Sequence, residues 1–303
     1  MSQTVARPLT GHKLVTLANG VHSVHSLAYG ETFHPVIGPV AEAEALYVRQ
    51  LGLVERLHRH TGEFVLWDVG LGAAANALTV LRATRHLPCA IHLLSFDQTV
   101  EPLEFGLQNT QPLGYLKGYE EHLRRFLPLQ HTTVGTQSPL PDGRIQFEDG
   151  VQLVTWDLHL ADFPSLLKQP AARKLAKPHA IMFDAFSPAK NPAMWTQPLF
   201  ANLFQLLDPD RPCSLPTYSR STMLRVTLLL AGFFVGAGHA TGEKEETTLA
   251  ANTRELIAEP LDRRWLQRAR RSTSAEPLWE PVYRQARLSA ETWEKLQEHP
   301  QFC

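Results

Sequence analysis

The chain has 303 residues, 44% of them hydrophobic, with 29 basic and 30 acidic side chains and a formal net charge of -1. That length and apolar content exclude a disordered or fibrous chain and fit one large or two small domains with a substantial core. A near-zero charge excludes overall steering toward a polyanion, so any nucleic-acid partner needs a local basic patch.

Residues 1–40 are polar and turn-rich and read as short strands. Met1 to Arg7 lacks the apolar stretch of a secretory signal. His22, Ser23, His25 and Ser26 either line a site or, the preferred reading, alternate along an exposed strand. The 14 histidines are scattered and read mostly as surface or structural residues. Residues 41–60, opening Ala-Glu-Ala-Glu-Ala-Leu-Tyr-Val, are rich in helix formers and read as a helix.

Phe64-Val65-Leu66-Trp67 is a buried-strand candidate that runs into Asp68-Val69-Gly70-Leu71-Gly72-Ala73-Ala74-Ala75-Asn76 and a helical pattern to about Arg85. Ile91 to Phe96 is the next strand, ending at Asp97. A strand, glycine turn, helix, strand and acid in that order open a doubly wound α/β sheet. Residues 101–130 look helical; Val151 to Trp156 reads as a strand, and Asp157 to Asp162 leads to a helix near Pro164 to Leu167. Further on come a buried strand Ala180–Phe183, a helix over 193–207, a strand Cys213–Tyr218, a helix Thr222–Leu230 and a late strand from Phe233.

The composition divides the chain into an N-terminal extension (1–50), a core (51–250) and a basic tail (251–303) holding Arg254, Arg263, Arg264, Arg268, Arg270, Arg271 and Trp265. Such a run is most often a solvated helix face; the alternative is a polyanion patch. Cys89, Cys213 and Cys303 lie far apart, with no Cys/His cluster at zinc spacing, so a reducing compartment and no metal are expected. The longest apolar stretch, Val226 to Ala237, is too short for a bilayer span, so a soluble, cytoplasmic protein is expected.

Two places carry chemistry. Gly70 and Gly72 let the backbone turn tightly against a ligand, and the following helix offers free N–H groups. Gly70 to Ala75 also fits a dinucleotide fingerprint. Asp68 argues against that ligand, because a carboxylate there would repel phosphates and suits an ammonium group instead. S-adenosylmethionine has an ammonium and a ribose without phosphate; Asp97 is placed for the ribose hydroxyls, and Asp162 for the adenine amine or as a helix cap. The second place is Asp184-Ala-Phe-Ser-Pro-Ala-Lys-Asn-Pro-Ala-Met-Trp195, an acid at a strand end followed by a loop shaped by Pro188 and Pro192. Asp184, Phe186, Lys190 and Trp195 look suited to a flat, polar substrate.

These residues resemble the methyltransferase half of the bifunctional tRNA wobble-uridine enzyme MnmC, over roughly residues 40–250. The likeness rests on Glu44-x-x-Tyr47-Val48, Asp68-x-Gly70-x-Gly72-x-x-x-Asn76, Asp97, Asp162, the Asp184–Trp195 string, Thr217-Tyr218-Ser219 through Arg225, Gly232-Phe233 and Gly242-x-Lys244. It implies a Rossmann-like class I fold, with a mostly parallel sheet and helices on both faces. It also implies S-adenosylmethionine bound by Glu44, Asp68, Gly70, Gly72, Asn76, Asp97 and Asp162. The family's glycine loop reads Gly-Phe-Gly-Thr-Gly-Leu-Asn, so a glycine and a threonine are replaced here by Ala74 and Ala73. The flavin-dependent oxidoreductase half is not represented, so the implied activity is N-methylation of the preformed aminomethyl group of 5-aminomethyl-2-thiouridine at the tRNA wobble position. The anticodon region of tRNA is the expected partner, with no DNA. Asp184 is the candidate that orients the amine and receives its proton, and Phe186, Trp195 or Tyr218 could stack on an extruded uracil, with Lys190 on a phosphate. The alternatives are an aminopropyltransferase-like enzyme acting on a small amine and a binding module without catalysis.

Overall fold

The structure is a computed structural model that describes residues 11–127, 141–242 and 245–303. Met1 to Arg7 and Lys244, both used above, lie outside the described residues, as do residues 128–130 of the helical stretch expected over 101–130.

A small antiparallel sheet comes first: β1 (His12–Thr16), β2 (His22–Ser26) and β3 (Glu31–Thr32). The helix expected over 41–60 is three pieces: α1 (Pro39–Ala43), a π turn (Glu44–Arg49) and, beyond the left-handed Gly52, α2 (Leu53–Arg59). Then follow β4 (Phe64–Val69), α3 (Ala75–Thr84), β5 (Ile91–Asp97) and the short helices α4 (Glu101–Gln108), α5 (Thr110–Leu113) and α6 (Glu120–Arg124). β6 (Gly143–Asp149) pairs antiparallel with β7 (Gln152–Leu160), ahead of α7 (Phe163–Leu167), β8 (Ala180–Phe183), α8 (Gln197–Leu206), β9 (Ser214–Thr217), α9 (Thr222–Leu230), β10 (Phe234–Gly238) and β11 (Thr247–Ala251). α10 (Arg263–Arg271) and α11 (Ala290–Gln297) close the chain.

The large sheet has the order β10-β11-β9-β8-β4-β5-β7-β6. Its central five strands, β9 to β7, are parallel, and the antiparallel pairs lie toward both edges. Parallel strands covered on both faces bury every residue, and alternate side chains feed opposite cores. In β4, Phe64 and Leu66 join one core while Val65, Trp67 and Val69 join the other; in β8, Ala180 and Met182 oppose Ile181 and Phe183.

The first core also takes Leu46, Tyr47 and Leu53, so residues 39–59 pack against the main sheet as part of it. The second core takes Trp265, Leu266, Ala269, Leu278, Trp293 and Phe302. The basic C-terminal stretch is therefore anchored on its apolar side, and its arginines face outward. No helix among the described residues is long and apolar enough to cross a membrane.

Chain order places the site. From β4 the chain runs outward through β5 to β7, then returns to the other side of β4 for β8 and β9. The crevice between the carboxyl ends of β4 and β8 is thus a topological switch point, where open α/β sheets bind ligands. The glycine turn and the Asp184 loop both leave the sheet there.

The turn carries one local cost. Ala74, the N-cap of α3, has φ of 64° and ψ of 19°, at the position where the resembled loop has glycine. A left-handed alanine costs roughly 1–2 kcal/mol, and the buried methyl returns about 0.8 kcal/mol. Ala74→Gly is therefore expected to stabilise the protein by about 0.5 kcal/mol net. A lower urea midpoint for the variant would refute this account of the turn.

Candidate functional site

The glycine turn begins where Val69 ends β4. Gly70 has φ of 96°, and its N–H donates to the Phe96 carbonyl at 2.9 Å. A Cβ at Gly70 would stand 2.7 Å from the Asp184 carbonyl oxygen, so only glycine lets the two loops meet. Gly72 has φ of 52°, and a Cβ there would press on the Phe33 ring at 3.1 Å.

Asp97, at the end of β5, is pinned to this turn. Its Oδ2 accepts the Gly72 N–H at 2.9 Å, and its Oδ1 accepts from the Gln98 and Thr99 N–H groups at 2.7 and 3.4 Å. Burial pushes its pKa up and these donors oppose it, with the net direction upward. A carboxylate has about four acceptor positions, so capacity for a hydroxyl partner is left.

Asp184 is the first residue after β8, and its N–H donates to the Val69 carbonyl at 3.0 Å. The Asn76 amide, from the first turn of α3, donates to Asp184 Oδ2 at 2.8 Å. His34 Nε2 lies 3.6 Å from the same oxygen, and His34 Nδ1 lies 3.7 Å from Glu42 Oε1. One atom from each of His34, Glu42 and Asp184 falls within 4.8 Å of the others, a spacing that suits a metal ion or an organic cation equally.

These groups share a cavity of ≈ 580 Å³, whose wall includes Gly70, Gly72, Asn76, Asp97, Phe186 and Tyr218. Its other side is the N-terminal sheet. Phe186 stacks on Tyr29 at 4.0 Å between centroids and meets Phe33 edge-on at 5.5 Å. Glu31 accepts the Ser187 N–H at 3.0 Å and also the Ser187 hydroxyl, which ties the Asp184 loop to β3. Tyr218 donates to the Ala185 carbonyl at 3.0 Å; burial first, then the charge of Asp184, pushes its pKa well above the ordinary phenol value.

The geometry redistributes several expected roles. Glu44 does not line the cavity: it is a half-exposed partner of Arg49 at 3.8 Å, and Glu42 is the acid on the cavity side. Helical residues two apart point nearly opposite ways, so only one of the two acids can face inward. Asp68 is also off the wall. It is 1% exposed, its Oδ2 accepts from Ser95 Oγ at 2.8 Å on the neighbouring strand, and its Oδ1 has no hydrogen-bond partner. Burial pushes its pKa to about 8, so it is mostly neutral at pH 7 and cannot repel phosphates as argued from the sequence.

Asp162 caps α7 through the Ser165 N–H at 3.1 Å and accepts from Gln98 at 2.9 Å, leaving Ala161 and Phe163 as the wall. Trp195 is fully buried and donates to the Phe186 carbonyl at 2.7 Å; it braces the loop from beneath and has no face to offer a base. Lys190 is exposed at the rim, near Gly30. Ser23 and Ser26 line the cavity, whereas His22 and His25 do not. Reading the sequence missed His34, Glu42, Tyr29, Phe33 and Glu31. All sit on the N-terminal segment, where no periodicity marks an inward face. The one available signal was that Glu42, two residues before Glu44 in the same continuous helical stretch, must face the other side.

Comparison with known proteins places this geometry. Residues 132–253 match a family described as S-adenosyl-L-methionine-dependent methyltransferase. The chain is 29% identical over 214 residues to the "tRNA 5-methylaminomethyl-2-thiouridine biosynthesis bifunctional protein MnmC" of Burkholderia mallei strain SAVP1 and of Burkholderia pseudomallei strain 668. Each alignment covers 70% of this chain and 31% of the relative, so the chain spans about a third of the length of these relatives. The crystal structure of MNMC2 from Aquifex aeolicus superposes with a TM-score of 0.66 at 19% identity, covering 95% of this chain and 83% of that one. The fold is that of S-adenosylmethionine-dependent methyltransferases, as the resemblance implied.

Asp68 yields a pH dependence of known sign. Its folded pKa of about 8 lies above the ordinary 3.8, so the native state keeps a proton that the unfolded chain releases. That contribution is complete below pH 3.8 and is lost as pH rises to about 8. Denaturant titrations of the ligand-free protein should show wild type losing stability across this window and Asp68→Asn losing less. Parallel curves for the two proteins would refute the assignment.

Proposed function

We propose that this protein transfers a methyl group from S-adenosylmethionine to the aminomethyl nitrogen of 5-aminomethyl-2-thiouridine at the wobble position of tRNA. The observation that carries the reading is the presentation of Asp184 to the cavity beside the glycine turn, with Glu42 close by. A cavity end built from two carboxylates suits an ammonium group and repels a phosphate. The name of the MnmC relatives gives the methylated product, whose unmethylated form is the proposed amine, and the methyltransferase family supplies the donor.

The residues fit that donor. Gly70 and Gly72 keep the turn clear of side chains, and Asp97 has acceptor capacity for a ribose hydroxyl. When bound, S-adenosylmethionine supplies an activated methyl group. The protein's part is to hold the amine, remove its proton and exclude water. An alkylamine has a pKa of about 10, so it arrives as an ammonium. Asp184, fixed by Asn76, orients that group.

Phe186, Tyr29 and Phe33 supply aromatic surface for an extruded uracil, and Lys190 stands at the rim for a phosphate. The C-terminal segment extends this surface. The Gln197 N–H, just beyond the Asp184 loop, donates to the Leu278 carbonyl at 2.8 Å, and exposed Trp279, Tyr283, Arg284 and Arg287 follow. Arginines interleaved with aromatics suit single-stranded RNA, with binding that weakens as salt rises. An anticodon loop is the matching target, and a tRNA substrate implies a cytoplasmic location.

Asp184→Asn should lower methyl transfer to bulk tRNA carrying the unmethylated aminomethyl group by roughly 10²-fold or more, while calorimetry finds its S-adenosylmethionine affinity little changed. Methylation of this tRNA at near wild-type rate by the variant would remove Asp184 from the reaction. Transfer to small polyamines in preference to tRNA would replace the whole reading.

A further inference from the structure

His34 has no role in the reading so far, yet it is one of the most constrained residues at the site. It is 9% exposed, and its φ of 49° makes it one of two non-glycine residues with positive φ among those described. Nδ1 has no hydrogen-bond partner, and the ring lies between two carboxylates, 3.6 Å from Asp184 and 3.7 Å from Glu42. Backbone strain of order 1–3 kcal/mol at a cavity wall persists only where the surroundings hold it in place.

We propose that His34 is the proton acceptor of this site: its Nε2 receives the proton that the substrate ammonium must lose, passed by way of Asp184, while Glu42 faces Nδ1. The proposal rests on the reaction given above and adds a residue to it. In the step, one N–H bond of the ammonium breaks, its electron pair stays on the amine nitrogen, and an N–H bond forms at neutral Nε2. The imidazolium then lies between two carboxylates, with its Nδ1–H toward Glu42, until the proton leaves to solvent.

The chemistry favours imidazole over carboxylate. An amine at about 10 gives its proton up more readily to imidazole, ordinarily about 6.5, than to a carboxylate at about 4. Burial alone would lower the pKa of His34; the charge of Asp184, then the polar contact with Glu42 and its charge, outweigh it, and the net direction is upward. The other ionisable groups around this array are Tyr47 in the π turn, Tyr218 after β9, Glu31 on β3 and buried Asp68 on β4. Both tyrosines are held neutral, because burial first and then the nearby carboxylates raise them well above the ordinary phenol value.

His34→Asn is the informative variant, because asparagine is at ease in the left-handed region and keeps the backbone. At saturating tRNA its kcat should fall by roughly 10²-fold or more, with KM and S-adenosylmethionine affinity little changed. The acid limb of the wild-type pH profile should vanish, leaving a rate that climbs steadily with pH. Glu42→Gln should instead keep the limb and move it to lower pH. Independently of turnover, NMR titration of ligand-free protein should find His34 above 6.5 in wild type and lower in Glu42→Gln.

Unchanged kcat and acid limb in His34→Asn would overturn the proposal while leaving the methyl transfer itself standing. Turnover abolished by chelation and restored by a divalent cation would overturn it too, since His34 would then be a metal ligand. A wild-type protein that cannot methylate the tRNA at all would take down both readings together.

Discussion

The site depends on one close approach, between the turn after β4 and the chain leaving β8. Gly70 has no Cβ where the Asp184 carbonyl stands 2.7 Å from the place that atom would fill. On either side of this contact, the Asp184 N–H bonds to Val69 and the Gly70 N–H to Phe96. The ends of β4, β5 and β8 are thereby locked into one surface. Asn76, one helical turn further on, reaches Asp184 across that surface. The glycine turn and the Asp184 loop are thus held by the same few backbone contacts, as the proposed transfer between two bound molecules would require.

Glu31, Glu42, Asp97, Glu101 and Asp184 line this volume and Asp68 lies beneath it; four of them show three ways of settling a charge. Asp68, sealed in the sheet with one hydroxyl donor, is pushed to about 8 and carries a proton at neutral pH. Asp97 accepts from three backbone N–H groups, which oppose but do not outweigh the upward push of burial on its pKa. Asp184 and Glu42 flank one imidazole and face the cavity. This last arrangement sets two carboxylates together on the cavity wall. Protonating Asp68 also spares the array a further buried anion, since the charge of Asp184 is among the causes that raise Asp68.

The central strands were legible because they are buried on both faces and read as unbroken apolar runs: Phe64 to Trp67, Ile91 to Phe96 and Ala180 to Phe183. Helix α9 matched its expected bounds, Thr222–Leu230, for the same reason. Among the outer strands, the late strand expected from Phe233 is β10, but β6 and β11 did not show. β6 buries only Ile145 and Phe147 of seven residues, and β11 is Thr-Thr-Leu-Ala-Ala, with little bulk to mark it. β7 continues to Leu160, where the acid Asp157 suggested a loop; its ion pair with Arg144 and its contact with His92 make a strand carboxylate tolerable.

At the site, composition pointed to the right loops and erred on which way side chains face. Asp184, Gly70, Gly72, Asn76, Asp97, Phe186 and Tyr218 meet at the cavity, whereas Glu44, Asp68, Asp162, Lys190 and Trp195 do not line it. His34 was invisible for a deeper reason. Its position follows from a left-handed backbone in an irregular segment, and its chemistry follows from two acids brought to it by separate elements.

That division has a physical logic. The sheet's switch point supplies the end of the cavity built from glycine, Asp97 and backbone, which many ligands could share. The rest of the wall comes from outside the sheet: Tyr29, Phe33, His34 and Glu42 from the N-terminal segment, and the Asp184 loop itself, which the proposed function makes the acceptor side. The loop is clasped on one side by Glu31 through Ser187 and on the other by the Thr196–Leu278 bridge, with Trp195 buried beneath it. Pro188 and Pro192 stiffen it between those anchors. On the proposed function, a carboxylate held on three sides in this way would lose little freedom when an ammonium arrives, and electrostatic catalysis depends on such prior alignment more than on the charge alone.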